Sequence, residues 1–525
     1  MKKIIVYAAM AAIAIPVQAQ DNINLDTYIG AQLTTEDLNG TARYVGMGGA
    51  MESLGADIST IGTNPAGIGL FRKNQVSGSL SMLIQEEGKS FQDGSKTSAS
   101  FDQLGIVFTT RAGMHSYMNF GINYHKSRNF NQILSAAAQA VNGSSQNTQT
   151  CIKGIRGDLD TYWGSSQIDA LYLSSGLIED KEGNVYNIEA TDYDFIRAHT
   201  GYIGEYDFNL SGNINNMVYL GLTVGIKDVH YNAYSEYFEH LNSLTMPNLT
   251  SVLISDDHSI KGQGFDIKVG AIVRPIEESP FRFGVSVSTP TWYKLTTSNT
   301  TRIGNVEQIG YDADFRFYTP WKFGLSVGHT VGNYLALGAS YEFADYTTND
   351  MRTITGRGYD WDGYYHEQSS SDRDMKRLTQ NTLRGVSTVK VGAEFKVSPQ
   401  VALRAGYNYV SPMYKENAVR DQTIDSPGTY MASTTDYTNW KATNRLTAGV
   451  GFTFDKLRLD LAYQYTMRKG DFYPYMHRSP ENANEPLSAK YYNEFDQLEV
   501  LKNECTAVSV KDNRHQLQCT LTYTW

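Results

Sequence analysis

Leu517-Gln518-Cys519-Thr520-Leu521-Thr522-Tyr523-Thr524-Trp525 alternates without a break. Leu517, Cys519, Leu521, Tyr523 and Trp525 share one parity, and Gln518, Thr520, Thr522 and Thr524 share the other. Successive side chains of a strand point to opposite faces, so this stretch reads as a strand with one apolar face and one polar, uncharged face. Such a strand at a free chain end is a liability in water, where termini fray and open edges aggregate. Between lipid and a wet lumen both faces are satisfied, and closing a barrel removes the edge. The terminal aromatic, Trp525, also suits the end signal of bacterial outer-membrane barrels. Barrel-assembly machinery is therefore an expected partner through this strand, and outer-membrane lipid an expected partner along its apolar face.

The same parity recurs upstream. Leu457, Leu459, Leu461, Tyr463 and Tyr465 alternate with Arg458, Asp460, Ala462 and Gln464, and follow Leu446, Ala448, Val450, Phe452 and Phe454 across the Asp455-Lys456 turn. Val389 to Val397 and Val401 to Tyr409 flank Ser398-Pro399 in the same way. Short turns near 112–115, 213–216, 276–279, 331–333, 398–399 and 455–456 separate long polar segments near 87–98, 131–196, 240–260, 295–310, 346–382, 412–440 and 470–511. Six short turns and seven long loops predict an all-β, transmembrane antiparallel barrel of about fourteen strands over residues 74–525, multi-pass in the cell outer membrane. A soluble sandwich would not segregate its loops so regularly. Two helices are expected in the second long loop, one with Ile133, Ala137, Ala140 and Val141 on one face, the other with Ile168, Leu171 and Tyr172 after Trp163. They either gather a greasy ligand at the mouth or pack together as a cap.

Met1-Lys2-Lys3, the apolar run Ile4 to Ile15 and Val17-Gln18-Ala19 predict a signal peptide over residues 1–19, and no Cys follows it to make a lipoprotein. Removing Lys2 and Lys3 with that leader takes the formal net charge from −10 to −12, which argues against a nucleic-acid partner. No apolar run is long enough for a membrane-spanning helix. The 36 Tyr and 46 Gly suit aromatic girdles and close strand packing. Three Cys make no framework: Cys519 falls on the lipid face, and Cys151 and Cys505 fall in loops, where a disulfide between them is open. The ten His show no HExxH spacing, and there is no GxSxG elbow or calcium loop, so no metal, cofactor or enzymatic activity is expected.

Residues 20–73 do not alternate. They contain Gly46-Met47-Gly48-Gly49-Ala50, Gly55-Ala56, Gly62 and Asn64-Pro65-Ala66-Gly67-Ile68-Gly69. A dinucleotide loop is excluded, because Met51 stands where the third glycine belongs and no βαβ unit follows. Small residues permit tight turns and close backbone approach, which suits a compact segment folded inside a lumen.

On Ala42 to Ala50, Asp57-Ile58-Ser59 and Asn64 to Gly69, the chain resembles the FadL/TodX family of outer-membrane transporters of hydrophobic compounds; Tyr44 and Met47 give it the look of Bacteroidetes-type members. The resemblance implies an N-terminal hatch over 20–73 plugging the lumen, with Asn64, Pro65 and Ala66 in the hatch turn and Gly46, Gly48 and Gly49 in the same motif. It also implies passive movement of a hydrophobic small molecule, such as a long-chain fatty acid, through a lateral opening in the wall. Loops 131–196 and 470–511 are long for that family. Some relatives handle proteins in type IX secretion instead, so a shuttle-like, protein-binding barrel without small-molecule transport is the alternative, and an adhesin the third reading. A TonB-coupled receptor would need 22 strands and a much larger plug.

The lumen-facing parity carries charge at Lys390, Glu394, Lys396, Arg404, Arg445, Arg458, Asp460 and Arg468. These groups either pair with lumen acids and the hatch, or spare one or two cations to clamp a ligand carboxylate, for which Lys390, Arg404, Arg445 and Arg458 are the candidates.

Overall fold

The computed structural model describes residues 25–525 apart from 93, 158–165, 176–186, 243–249, 277, 305, 310–311, 360, 362, 364, 422–423, 425, 431–434, 477, 480–481 and 493–497. The expected signal peptide and the start of the expected hatch lie outside the described residues.

The wall begins with β1 (Gln75–Gln85), β2 (Thr97–Arg111) and β3 (Tyr117–Asn129), whose outer continuation is β4 (Gln132–Gln139). β5 (Glu189–Ile214), β6 (Val218–Asn242) and β7 (Ser251–Val273) follow, then β8 (Arg282–Ser288), prolonged outward as β9 (Trp292–Ile303) with the short β10 (Val306–Ile309). β11 (Ala313–Tyr318) descends into β12 (Lys322–Val331), and β13 (Leu335–Asp345) climbs into the outer hairpin β14 (Asp350–Tyr359) and β15 (Tyr365–Ser371). β16 (Gly385–Lys396), β17 (Val401–Val410), β18 (Tyr437–Phe454) and β19 (Leu457–Tyr473) lead to a small outer sheet, β20 (Arg478–Ser479), β21 (Asn482–Tyr492) and β22 (Leu498–Asn503). β23 (Val508–Lys511) then runs into β24 (Arg514–Thr524). β24 pairs with β19 on one side and with β1 on the other, so fourteen antiparallel wall strands close on themselves.

The quoted terminal strand has the orientation its pattern demands. Leu517 and Leu521 are 51% and 55% exposed, whereas Thr520 and Thr522 are 0% and 1% exposed. In a barrel the exposed parity is the one that meets lipid. A lipid-facing row crosses the wall in register through Leu403, Val450, Leu461, Cys519 and Leu80. Aromatics flank the band, with Tyr523 stacked on Trp525 and Tyr334 edge-on to Phe395 near one rim, and Phe265 against Trp292 near the other. The strands close on themselves and the outward face is apolar, so this is a multi-pass barrel of the outer membrane. Val450→Arg should lower the folded fraction, read by heat-modifiable gel mobility, through a cost of about 2–4 kcal/mol near the midplane. Thr453→Arg, on the opposite parity, should be close to neutral; equal losses would mean that the faces are reversed.

Every predicted short turn is present. Asn215 and Asn216 both take positive φ, as does Asp455, the backbone that tight hairpins require. The outer side departs from expectation. The described parts of 240–260 and 295–310 are largely strand, and 346–382 holds the hairpin β14–β15 and a helix, Arg373–Thr382: β6, β7, β9, β14 and β15 continue far past the lipid band. Beyond the membrane neither face needs to be greasy, so the hydrophobic alternation fades while backbone pairing persists. The expected helix on Ile133, Ala137, Ala140 and Val141 is a correction: residues 132–139 are strand β4, paired with β5 from Gln132↔His199 to Gln139↔Asp192. Local alanine helix propensity yields there to the backbone bonds that the β5 edge offers. The second expected helix exists as Gln167–Ser175. A helix that sequence reading missed, Gln146–Arg156, has a Ser145/Thr148 capping box and buries Cys151. The two helices pack with Phe195, Tyr237 and Trp440 and cap the mouth, with Cys505 at the edge of the same cluster.

Candidate functional site

Residues 25–71 lie inside the wall. Asp26 caps the helix Thr27–Thr34, Thr41 caps Ala42–Gly46, Asp57 caps the turn Ile58–Gly62, and Asn64 caps Pro65–Leu70, so short polar side chains hold a segment that has few regular hydrogen bonds. The Asn64 side chain accepts from Ala66 N at 3.2 Å and donates to the Val285 carbonyl on the wall at 3.4 Å. Gly48 and Gly49 take φ of +63° and +80°, a backbone that favours glycine. The wall matches them: a Cβ at Gly392 or Gly406 would collide with the Met47 and Gly48 backbone. Many of the chain's strand glycines thus serve close approach of this inner segment to the wall.

The lumen face of the terminal strand belongs to the same contact. Thr520 Oγ1 accepts from Ala42 N at 2.7 Å, and Gln518 Nε2 donates to the Gly40 carbonyl at 2.6 Å. That face is polar but uncharged because its partners are backbone groups.

Of the four candidate clamp residues, three hold the inner segment or its partners. Arg43 grips Glu394 through two hydrogen bonds of 2.9 and 3.0 Å. Glu394 also accepts from Arg404 at 2.6 Å, Arg404 donates to Asp460 at 2.8 Å, and Asp460 accepts from Arg458 at 2.7 Å. Lys390 pairs with Glu52 at 2.8 Å. Such a buried, fully paired chain costs desolvation but is strongly destabilised by losing one member, so it fixes position more than it adds net stability.

Arg445 sits elsewhere. It donates to Asn408 at 2.9 Å, stands 3.6 Å from Asp37, and lines two lumen cavities of about 60 and 110 Å³ above the inner segment. Around the smaller cavity it is joined by Arg128, Arg468 and Arg514 against Asp37 and Asp512. Four guanidiniums and Lys441 line it together with four carboxylates, Glu36, Asp37, Asp102 and Asp512, and Trp440 stands on one side with Arg468 over its ring at 4.1 Å. Arg468 is visible in the sequence as a lumen charge, and Arg514 stands on the polar parity of β24 two residues before Gln516; Arg128 carries no signal that singles it out. His125, Glu205 and Asp207 lie close enough to suggest a metal, but Lys268 already contacts both carboxylates, and the group reads as an ion-pair network.

Beside these cavities the wall is open. β2 and β3 stop pairing at Gln103↔His125, although β2 runs on to Thr97 bound only to β1, and β3 to Asn129 bound only to β5. Above the gap the wall is stitched again, where the Gln85 side chain donates to the Ile133 carbonyl at 2.7 Å and accepts from Ile133 N at 2.9 Å. The inner segment meets the free edge of β3. Asp37 N donates to Ser127 O at 2.8 Å, Asn129 N to Asp37 Oδ2 at 2.9 Å, and Asn39 to Lys126 O at 3.1 Å and to Asp102 at 3.2 Å. Lys126 reaches Ser100 at 2.7 Å across the opening.

A closed fourteen-strand barrel, filled from within by its own N-terminal segment and interrupted at one seam, is the class of protein that these features define. Solved structures to which it is similar include a FadL homologue of Pseudomonas aeruginosa (13% identity, 93% of this chain and 99% of that one, TM-score 0.49). The toluene transporter TbuX of Ralstonia pickettii is another (12% identity, 93% and 99%, TM-score 0.46), as is the monoaromatic hydrocarbon channel CymD (10% identity, 94% and 99%, TM-score 0.47). No family model and no curated protein matches the chain.

Proposed function

We propose that this barrel carries hydrophobic small molecules with an acidic head, such as long-chain fatty acids, from the outer face into the membrane by passive diffusion. The observation that supports this reading most is the unpaired seam between β2 and β3, placed directly beside lumen cavities whose way down is filled by residues 25–71. A greasy chain gains nothing from an open water-filled pore, whereas a plugged lumen with a side exit passes it toward lipid. In this reading Arg445, with Arg128, Arg468 and Arg514, receives the carboxylate, while Lys390, Arg404 and Arg458 secure the hatch. No catalytic step is involved.

Palmitate and hexadecanol binding to the purified protein tests the assignment. Palmitate should bind more tightly, and Arg445→Ala should weaken it on the order of tenfold to a hundredfold, the value of a charge-assisted hydrogen bond. Arg458→Ala should leave binding near normal. No binding of either compound would favour the protein-handling alternative, and equal binding of both would remove the carboxylate clamp.

A further inference from the structure

On β19 the outward parity reads Leu461, Tyr463, Tyr465 and Met467, then turns cationic at Lys469. Beside it the outward residues of β24 run Leu521, Cys519, Leu517 and His515, and past the bend at Asp512-Asn513 the exposed residues on β23 are Lys511 and Ser509. Lys469 and Lys511 are direct cross-strand partners, and both are exposed. Their neighbours Gly470 and Val510 are buried inward, so both lysines project from a fixed wall toward the outside. Like charges directly opposite each other on a sheet are destabilising. Among the described residues neither has an ion-pair partner, whereas Lys441, exposed on the adjacent β18, is held by Asp471 at 2.9 Å.

Height supplies the rest. Just below, His515 stacks between Tyr463 and Tyr465 with ring centroids 6.0 and 4.8 Å away and reaches Glu86 at 2.8 Å, an aromatic belt of the kind that marks the edge of the hydrocarbon. Four residues beyond Tyr465, roughly 13 Å along a tilted strand, place Lys469 in the headgroup layer. An anion beside the membrane-facing wall would relieve the repulsion of this pair, since Asp471, the next residue of the same parity on β19, is already engaged by Lys441.

We propose that Lys469 and Lys511 form a docking site for the phosphorylated headgroup of an outer-leaflet glycolipid. The phosphate would sit between the two ammonium groups and relieve their repulsion, while the acyl chains lie on Leu461, Leu517 and Cys519. This does not depend on what passes through the lumen.

Native mass spectrometry of the full chain in nonionic detergent tests the site, with diphosphorylated lipid A, its phosphate-free form and inorganic phosphate as probes. Wild-type protein and Lys456→Ser, at a turn on the opposite rim, should prefer the diphosphorylated lipid. Lys469→Ser/Lys511→Ser should bind it about thirty-fold more weakly, the loss of two lysines near an anionic surface. Retention by the double variant, or equal binding of the two lipids by wild type, overturns the proposal; the second comparison needs no variant to fold. Competition by inorganic phosphate at lipid concentrations would assign the pair to a soluble anion and overturn the lipid assignment. The double variant should also be no less heat-resistant than wild type in lipid-free detergent, because the facing charges are gone.

Discussion

Deleting residues 20–73 should turn a barrel that is nearly silent in planar bilayers into an open ion channel, with conductance on the order of tenfold or more above the intact protein. A fourteen-strand wall lies close to the 16–18 strands that enclose an aqueous channel, well above the eight that side chains can fill. In the intact protein that space holds Val45, Met47, Met51, Ile61 and Ile68, all fully buried. The wall itself should survive, because β24 pairs with β1 and the outward rows are buried by lipid without help from inside. Deletion strands Glu394 and Lys390 without Arg43 and Glu52, yet the emptied lumen admits water, which solvates them. Folded yield by heat-modifiable mobility should therefore stay near normal while conductance rises. Replacing Asn64 and Pro65 together should loosen the same segment and reduce uptake of a long-chain ligand. High conductance from the intact protein would identify an ordinary porin and remove the hatch reading.

Closing the β2–β3 seam should abolish transport without abolishing binding. In a chain whose own cysteines are replaced by Ser, Ser100→Cys and Lys126→Cys stand on either side of the gap and can be joined by a cleavable bifunctional thiol reagent. Uptake of labelled palmitate in cells should fall on the order of tenfold or more when the linker is closed and recover on cleavage, as the proposed side exit requires. Palmitate binding to the purified, linked protein should be unchanged. The same linker across Ser77→Cys and Thr522→Cys, already partners in the paired β1–β24 seam, should change nothing. Undiminished uptake with the β2–β3 linker closed would place the exit elsewhere or deny one.

The alternation at 517–525, repeated through 401–409, 446–454 and 457–467, by itself determined which face of each strand meets lipid, how many strands there are and where the tight turns fall. Parity is a local property: residue i and residue i+2 must share a solvent whatever lies across the lumen. The same argument made the glycines of 46–69 legible as a close-packed inner segment. Parity could say that Lys390, Arg404, Arg445 and Arg458 point inward, but not at what height or toward which partner. Only the tertiary structure separated Arg404 and Arg458, locked on Glu394 and Asp460, from Arg445, which faces both cavities, and from Lys390, which pairs with Glu52 and lines the larger one. The same limit hid β4, where pairing with β5 overrides an alanine-rich run, and the outer halves of β6, β7 and β9, where polar surroundings erase the hydrophobic signal. It hid the seam as well. A gap between Thr97–Asp102 and Lys126–Asn129 is a relation between two registers, and no single strand carries it, because each of the two stays paired to its other neighbour apart from a bulge at Asp102 and at Ser127.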